Sequence, residues 1–139
     1  MNLACSTSAF KTDLAGALER VASLGFSYVD LIAIGGWDHV KADRAVADDA
    51  GYAAEIQGLL TKYKLTPVAM NIAVGHPHQR SAEQVAQRKR DVGALARVAR
   101  RLGISVASFY PGYLAKERVW DEVLADSVQS IREARAAAA

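Results

Sequence analysis

The chain has 139 residues, 51% of them apolar, which suffices for one domain with a buried core. Lys and Arg number 17 against 15 Asp and Glu, and the resulting formal charge of +2 is too mild to point to a nucleic-acid partner. A single cysteine, the lack of a signal-peptide pattern in MNLACSTSAF, and the lack of any apolar run near the ~20 residues that span a bilayer lead to the expectation of a soluble, cytoplasmic protein without a membrane partner.

Asn2–Ser6 reads as a short strand that leaves through polar Ser6-Thr7-Ser8. Thr12 or Asp13 can cap a helix whose apolar positions are Leu14, Ala17, Leu18, Val21 and Leu24, and Gly25 stops it. Ser27–Ile34 is almost continuously apolar, as expected of a strand covered on both faces. Trp37–Val46 reads as a loop with room for a turn of helix. A second helix starts near Asp48 or Asp49 and carries Tyr52, Ile56, Leu59, Leu60 and Tyr63.

Pro67–Val74 is the third strand, and it runs into Gly75-His76-Pro77-His78. Ser81 caps a long helix with Glu83 in its first turn, a stripe of Val85, Val92, Leu95, Ala96, Ala99 and Leu102, and Gly103 at its end. Ile104–Tyr110 is a fourth strand closed by Pro111-Gly112. The last helix carries Trp120, Val123, Leu124, Val128 and Ile131 on one side.

The order β-α-β-α-β-α-β-α predicts an α/β fold with a parallel sheet and right-handed crossovers, as one unit over residues 1–139. Two architectures fit: a small doubly wound sheet, or the first four units of a TIM-type (β/α)8 barrel, that is, a half barrel. The exit of strand 1 has no glycine, and no phosphate-binding glycine motif occurs, which weakens the nucleotide-binding form of the first.

Three segments, ALERVASLGFSYVDLIAI, IQGLLTKYKLTPVAMNI and QRKRDVGALARVARRLGISVASFYPGY, resemble in their succession the xylose isomerase-like barrel superfamily. That superfamily includes sugar and sugar-phosphate isomerases and epimerases as well as apurinic endonucleases. Asp30 stands where the family usually has glutamate. The resemblance implies metal-assisted proton transfer in carbohydrate metabolism, with a divalent metal (Mn, Mg, Co or Zn) held mostly by strands 5 to 8. A complete barrel needs roughly 250 residues, so this chain is expected to be an inactive N-terminal half that binds no metal alone. Its open edges invite self-association or a missing C-terminal half. An apurinic endonuclease-like repair protein and a non-catalytic half-barrel assembly module are the alternatives.

In such barrels the site lies at the C-terminal ends of the strands. The candidate contacts for a small-molecule sugar are therefore Asp30, Trp37, Asn71, His76 and Tyr110; no catalytic residue is assigned. Asn71 is equally readable as satisfying a neighbouring backbone group, Asp30 as a structural hydrogen-bonding group, and the two aromatics as loop packing. His76 and His78 form an i, i+2 pair without a third ligand nearby, so no metal site is predicted there. Phe10 is a lesser wall candidate, and Cys5 reads as a small buried residue. Arg88-Lys89-Arg90, Arg97, Arg100 and Arg101 read as a solvated outer helix face.

Overall fold

Asp13 accepts a hydrogen bond from Gly16 N at 2.9 Å and so opens α1 (Leu14–Ser23), which follows β1 (Ala4–Ser6) and a 3-10 turn (Thr7–Ala9). This geometry comes from a computed structural model that describes residues 3–35, 39–110 and 118–139. Gly25, with φ of 83°, lets the chain turn from α1 into β2 (Tyr28–Ile34), a conformation that any side chain would strain. A six-residue helix, α2 (Ala42–Ala47), occupies what the sequence presents as a loop, and Asp48 then caps α3 (Asp49–Tyr63). Next come β3 (Thr66–Ala73), α4 (Ala82–Arg101), β4 (Ala107–Phe109) and α5 (Trp120–Ala138). Ser81 and Gln84 make a reciprocal capping box at the start of α4.

The four strands form one parallel sheet in the order β1-β2-β3-β4. This order never reverses, so successive right-handed crossovers carry every helix to the same face. A doubly wound sheet needs a reversal, and the fold is therefore the start of a TIM-type barrel. Val29, Leu31, Ala33, Met70 and Ile72 turn toward the helices and pack with Leu18, Val21, Ile56, Leu60, Leu95 and Val98 in one core. By the two-residue period of a strand, Ser6, Asp30, Asn71 and Ser108 belong to the opposite face, which no helix covers among the described residues.

Three expectations need correction. Strand 4 is three residues long instead of seven, because it is an edge paired only with β3; Met70 N bonds Val106 O and Tyr110 N bonds Ile72 O just outside it. Leu24, placed by its spacing in the apolar stripe of α1, is 63% exposed, since it caps the helix. The last helix differs most. It buries Val123, Ser127, Ser130 and Ala134, while Trp120, Leu124, Val128 and Ile131 face outward. Small residues win the α4 side because the two helices approach closely there: a Cβ on Gly93 would stand 3.1 Å from the Ala137 carbonyl.

Candidate functional site

A hydrogen-bonded row crosses the uncovered face of the sheet. Ser108 on β4 donates its hydroxyl to the side-chain carbonyl of Asn71 on β3, and the Asn71 amide donates to the carboxylate of Asp30 on β2. Register explains the meeting, since Asn71 pairs with Ser108 and Asp30 pairs with Ser6, with Asn71 one inward-facing step beyond Asp30. Ser6 extends the row to β1, where its oxygen accepts from Ser8 Oγ at 3.0 Å. Burial raises the Asp30 carboxyl above its ordinary pKa, and the Ser6 hydroxyl and the Asn71 amide oppose that rise by favouring the charged form. Asp30 Oδ1 is buried without a hydrogen bond in normal geometry among the described residues.

The row has a direction. Protons point from Ser108 through Asn71 to Asp30, so the negative charge polarises the chain and leaves the exposed Ser108 oxygen as an acceptor for an incoming donor. The Asn71 amide keeps a second N–H. The end of the row therefore offers both acceptor and donor capacity, as a neutral polyhydroxylated ligand requires.

The histidine loop leaves β3 at the C-terminal end of the sheet. The rings of His76 and His78 stack at 5.6 Å between centroids, inclined by 14°. Their backbone is clamped from below: Arg88 donates to the carbonyls of His76 (3.0 Å) and Gln79 (3.3 Å). Ser130 on α5 donates to the Pro77 carbonyl at 2.7 Å, and Arg118 to that of His78 at 3.4 Å. Four consecutive carbonyls, 76 to 79, thus accept from side chains outside the loop. Arg80 braces the same region through a two-pronged pair with Glu133, which lowers the Glu133 carboxyl to about 2. The third histidine, His39, is buried and donates from Nε2 to the Thr12 carbonyl at 2.7 Å, pinning the chain after β2 to the start of α1.

The structure thus brings Asp30 and Asn71 into direct contact, and puts His76 in the loop after β3 and Tyr110 just after β4, 46% exposed. Trp37 lies outside the described residues. Phe10 and Cys5 are half-buried against the helix-side core. The sequence reading missed Ser6 and Ser108, which parallel register with Asp30 and Asn71 would have marked. It also misplaced Arg88, which is only 5% exposed. Arg88 continues the stripe Val85, Val92, Leu95, Ala99 at spacings of three and four, and that periodicity was the available signal. Arg97 and Arg101 do lie on the outer face, paired with Asp49.

The donors at the row are one carboxylate, one amide and two hydroxyls, and among the described residues no three His, Cys, Asp or Glu side chains converge. That set does not fit the divalent ion that the fold family uses, and no chemical step is routed through one.

No curated protein matches the sequence. Among solved structures, D-psicose 3-epimerase in the presence of D-fructose superimposes with a TM-score of 0.64 at 16% identity, over 99% of this chain and 50% of the other. D-allulose 3-epimerase from Methylomonas sp. gives 0.65 at 17% identity, over 99% and 48% respectively, and its complex with D-allulose gives 0.62 at 17%. The chain therefore spans about half the length of these solved relatives, and at such identities the likeness concerns the fold. The sequence model described as xylose isomerase-like TIM barrel matches residues 18–139. By that match the chain belongs to the xylose isomerase-like TIM barrel family.

Proposed function

We propose that residues 1–139 form the substrate-shaping wall of a sugar or sugar-phosphate isomerase or epimerase-like barrel. One observation carries the reading: a polarised hydrogen-bonded row, Ser108–Asn71–Asp30, stands on the sheet face that no helix covers among the described residues. A ketose binds by laying its hydroxyls along this row, donating to Ser108 Oγ and accepting from the free Asn71 N–H. His76 and Tyr110, at the exits of β3 and β4, line the rim. The likeness to sugar epimerases, solved in the presence of D-fructose and in complex with D-allulose, supports this choice of ligand.

No proton transfer is assigned to this chain. Moving a proton between the faces of a carbon beside a carbonyl calls for positioned acid and base groups, and the row contains a single carboxylate. Residues 1–139 alone are expected to bind a ketose without converting it, and conversion of D-fructose by the isolated chain would overturn that part.

Calorimetric titration tests the binding. D-allulose or D-fructose should bind with Kd on the order of 1–10 mM, and Ser108→Ala should weaken it by about 3–10-fold through one lost hydrogen bond. Unchanged affinity in Ser108→Ala and Asn71→Ala, or no heat at all, would exclude the row as the ligand surface.

A further inference from the structure

Both arms of the polar row converge on Asp30. An ionised carboxylate only accepts hydrogen bonds, so the Asn71 side chain that meets it presents its N–H, and the Asn71 side-chain carbonyl is left for the far side. There the Ser108 hydroxyl donates to it. On the other arm, Ser6 stands opposite Asp30 in the β1–β2 register. The Ser6 oxygen accepts from Ser8 N at 3.4 Å and from Ser8 Oγ at 3.0 Å, and the Ser6 hydroxyl favours the charged carboxylate. The protons of both arms thus point inward.

An amide has no such preference of its own. Turned over, Asn71 would offer its carbonyl to residue 30 and its N–H to Ser108, and the Ser108 proton would then point outward. The two arrangements fill the same volume. They differ in what the end of the row offers, an acceptor in the first and a donor in the second. The hydroxyls of Ser6 and Ser108 serve in either sense, and within the row Asp30 is the group with no proton to give. Ser108 is exposed whereas Asp30 is half-buried, so a ligand meets the end of the row and feels Asp30 through Asn71.

We propose that Asp30 is a positioning residue for substrate choice: its charge fixes the sense of the row, so that Ser108 Oγ accepts and the site takes a ketose with a free hydroxyl at that point over one that carries fluorine or an ether there. This choice rests on the reading of the row as the sugar-binding surface, whereas the sense of the row does not. A hydroxyl can donate to Ser108 Oγ. Fluorine and an ether oxygen only accept, and two acceptors face to face leave both unpaired. Asp30→Asn lifts the constraint, because a second amide can accept from Asn71 or donate to it, and Ser108 then serves either way round.

Calorimetry with D-fructose and its monodeoxyfluoro analogues reads the choice. At one position the wild-type chain should bind the fluoro analogue about 5–15-fold more weakly than D-fructose. Asp30→Asn should bring that ratio to about 2 or less, and Asp30→Glu, still an acceptor only, should keep it whatever the absolute affinity. A purely structural Asp30 would shift parent and analogue together and leave the ratio untouched. A ratio unchanged in Asp30→Asn, a ratio lost equally in Asp30→Glu, or no position at which the wild type discriminates would overturn the proposal. The sense of the row is read without ligand. In the 15N,13C-labelled chain a scalar coupling across the hydrogen bond should join the Asn71 amide nitrogen to the Asp30 carboxyl carbon. Asp30→Asn should add the reverse coupling, from the amide introduced at position 30 to the Asn71 side-chain carbonyl carbon. Both couplings with no binding of D-fructose would strike the sugar reading and the choice that rests on it. Sugar binding without the wild-type coupling, or a single sense retained in Asp30→Asn, would strike the role of Asp30 alone.

Discussion

Asp30 is the residue on which the face opposite the helices turns. It is a carboxylate in a strand whose neighbours Val29 and Leu31 are fully buried, and burial raises its pKa despite the Ser6 and Asn71 contacts. For an acid whose folded value lies above its unfolded one, the stabilising contribution is complete below the unfolded pKa of 3.8 and is lost as pH rises through the folded value. Charged Asp30 is therefore a cost to stability at neutral pH. Asp30→Asn removes that cost while keeping a carbonyl oxygen for the Asn71 amide. The variant should match or exceed wild-type stability at pH 7, and the advantage should vanish as pH falls toward 3.8. Denaturant unfolding at a series of pH values measures this, and a stability gap that widens toward acid would show the sign to be wrong. Asp30 and Asn71 could be singled out from the sequence because polar residues inside apolar strands need partners. That they are each other's partner depends on strand register, including the shift between Val29 and Asp30, which no local pattern encodes.

At the scale of the element, the loop 75–79 is held by its carbonyls, and Arg88 is the centre of that hold. Its guanidinium is buried and has neutral acceptors, the carbonyls of His76 and Gln79 and the Ser130 hydroxyl; burial, with Arg80 nearby, lowers its pKa. Arg88→Met should destabilise the chain by about 2–4 kcal/mol, because it strips buried carbonyls of their donors. Arg88→Lys should recover only part of the loss, since one ammonium cannot span the same acceptors. Thermal or denaturant unfolding decides between this account and a surface role, which predicts a change near zero. The Arg80–Glu133 brace carries the opposite pH sign from Asp30. The Glu133 carboxyl is held at about 2, so its contribution is present above its ordinary value of 4.5 and is lost as pH falls toward about 2. The amide signals of His76, His78 and Gln79 should broaden or shift in that window before the core unfolds, as two-dimensional amide spectra would show.

Helix caps and glycine stops placed most elements from the sequence: Asp13, Gly25, Asp48, Ser81 and Gly103 all stand at boundaries, the three caps acting through a side-chain oxygen on a nearby N–H and the two glycines through a positive φ. The last helix was read wrongly for a physical reason. Periodicity finds the apolar stripe of a helix, but not which neighbour covers it. In α5 the stripe of Trp120, Leu124, Val128 and Ile131 is not the side against α4, where Ser127 and Ser130 permit closer approach.

For the whole molecule, an unreversed strand order with all helices on one side makes an open sheet with two faces of different chemistry. One is an apolar core. The other carries the polar row, which runs from Ser6 at the end of β1 across Asp30, in the first half of β2, to Asn71 and Ser108. The alternation of strands and helices was enough to predict parallel βα units, and the strand order decided between the two architectures that alternation allows. The rows of Ser6, Asp30, Asn71 and Ser108 and the α5 stripe are both surfaces that four βα units cannot cover by themselves.

On the proposed reading, the Ser108–Asn71–Asp30 row meets the hydroxyls of a sugar. Amide and side-chain spectra of the 15N-labelled chain during titration with D-allulose test it most directly. Saturable shifts should appear at the Asn71 side-chain amide and at the backbone amides of Asp30, Ser108 and Tyr110, with the midpoint moved to about 3–10-fold higher sugar concentration in Ser108→Ala. Shifts confined to the helix side of the sheet, or none at the row while the chain stays folded, would contradict it.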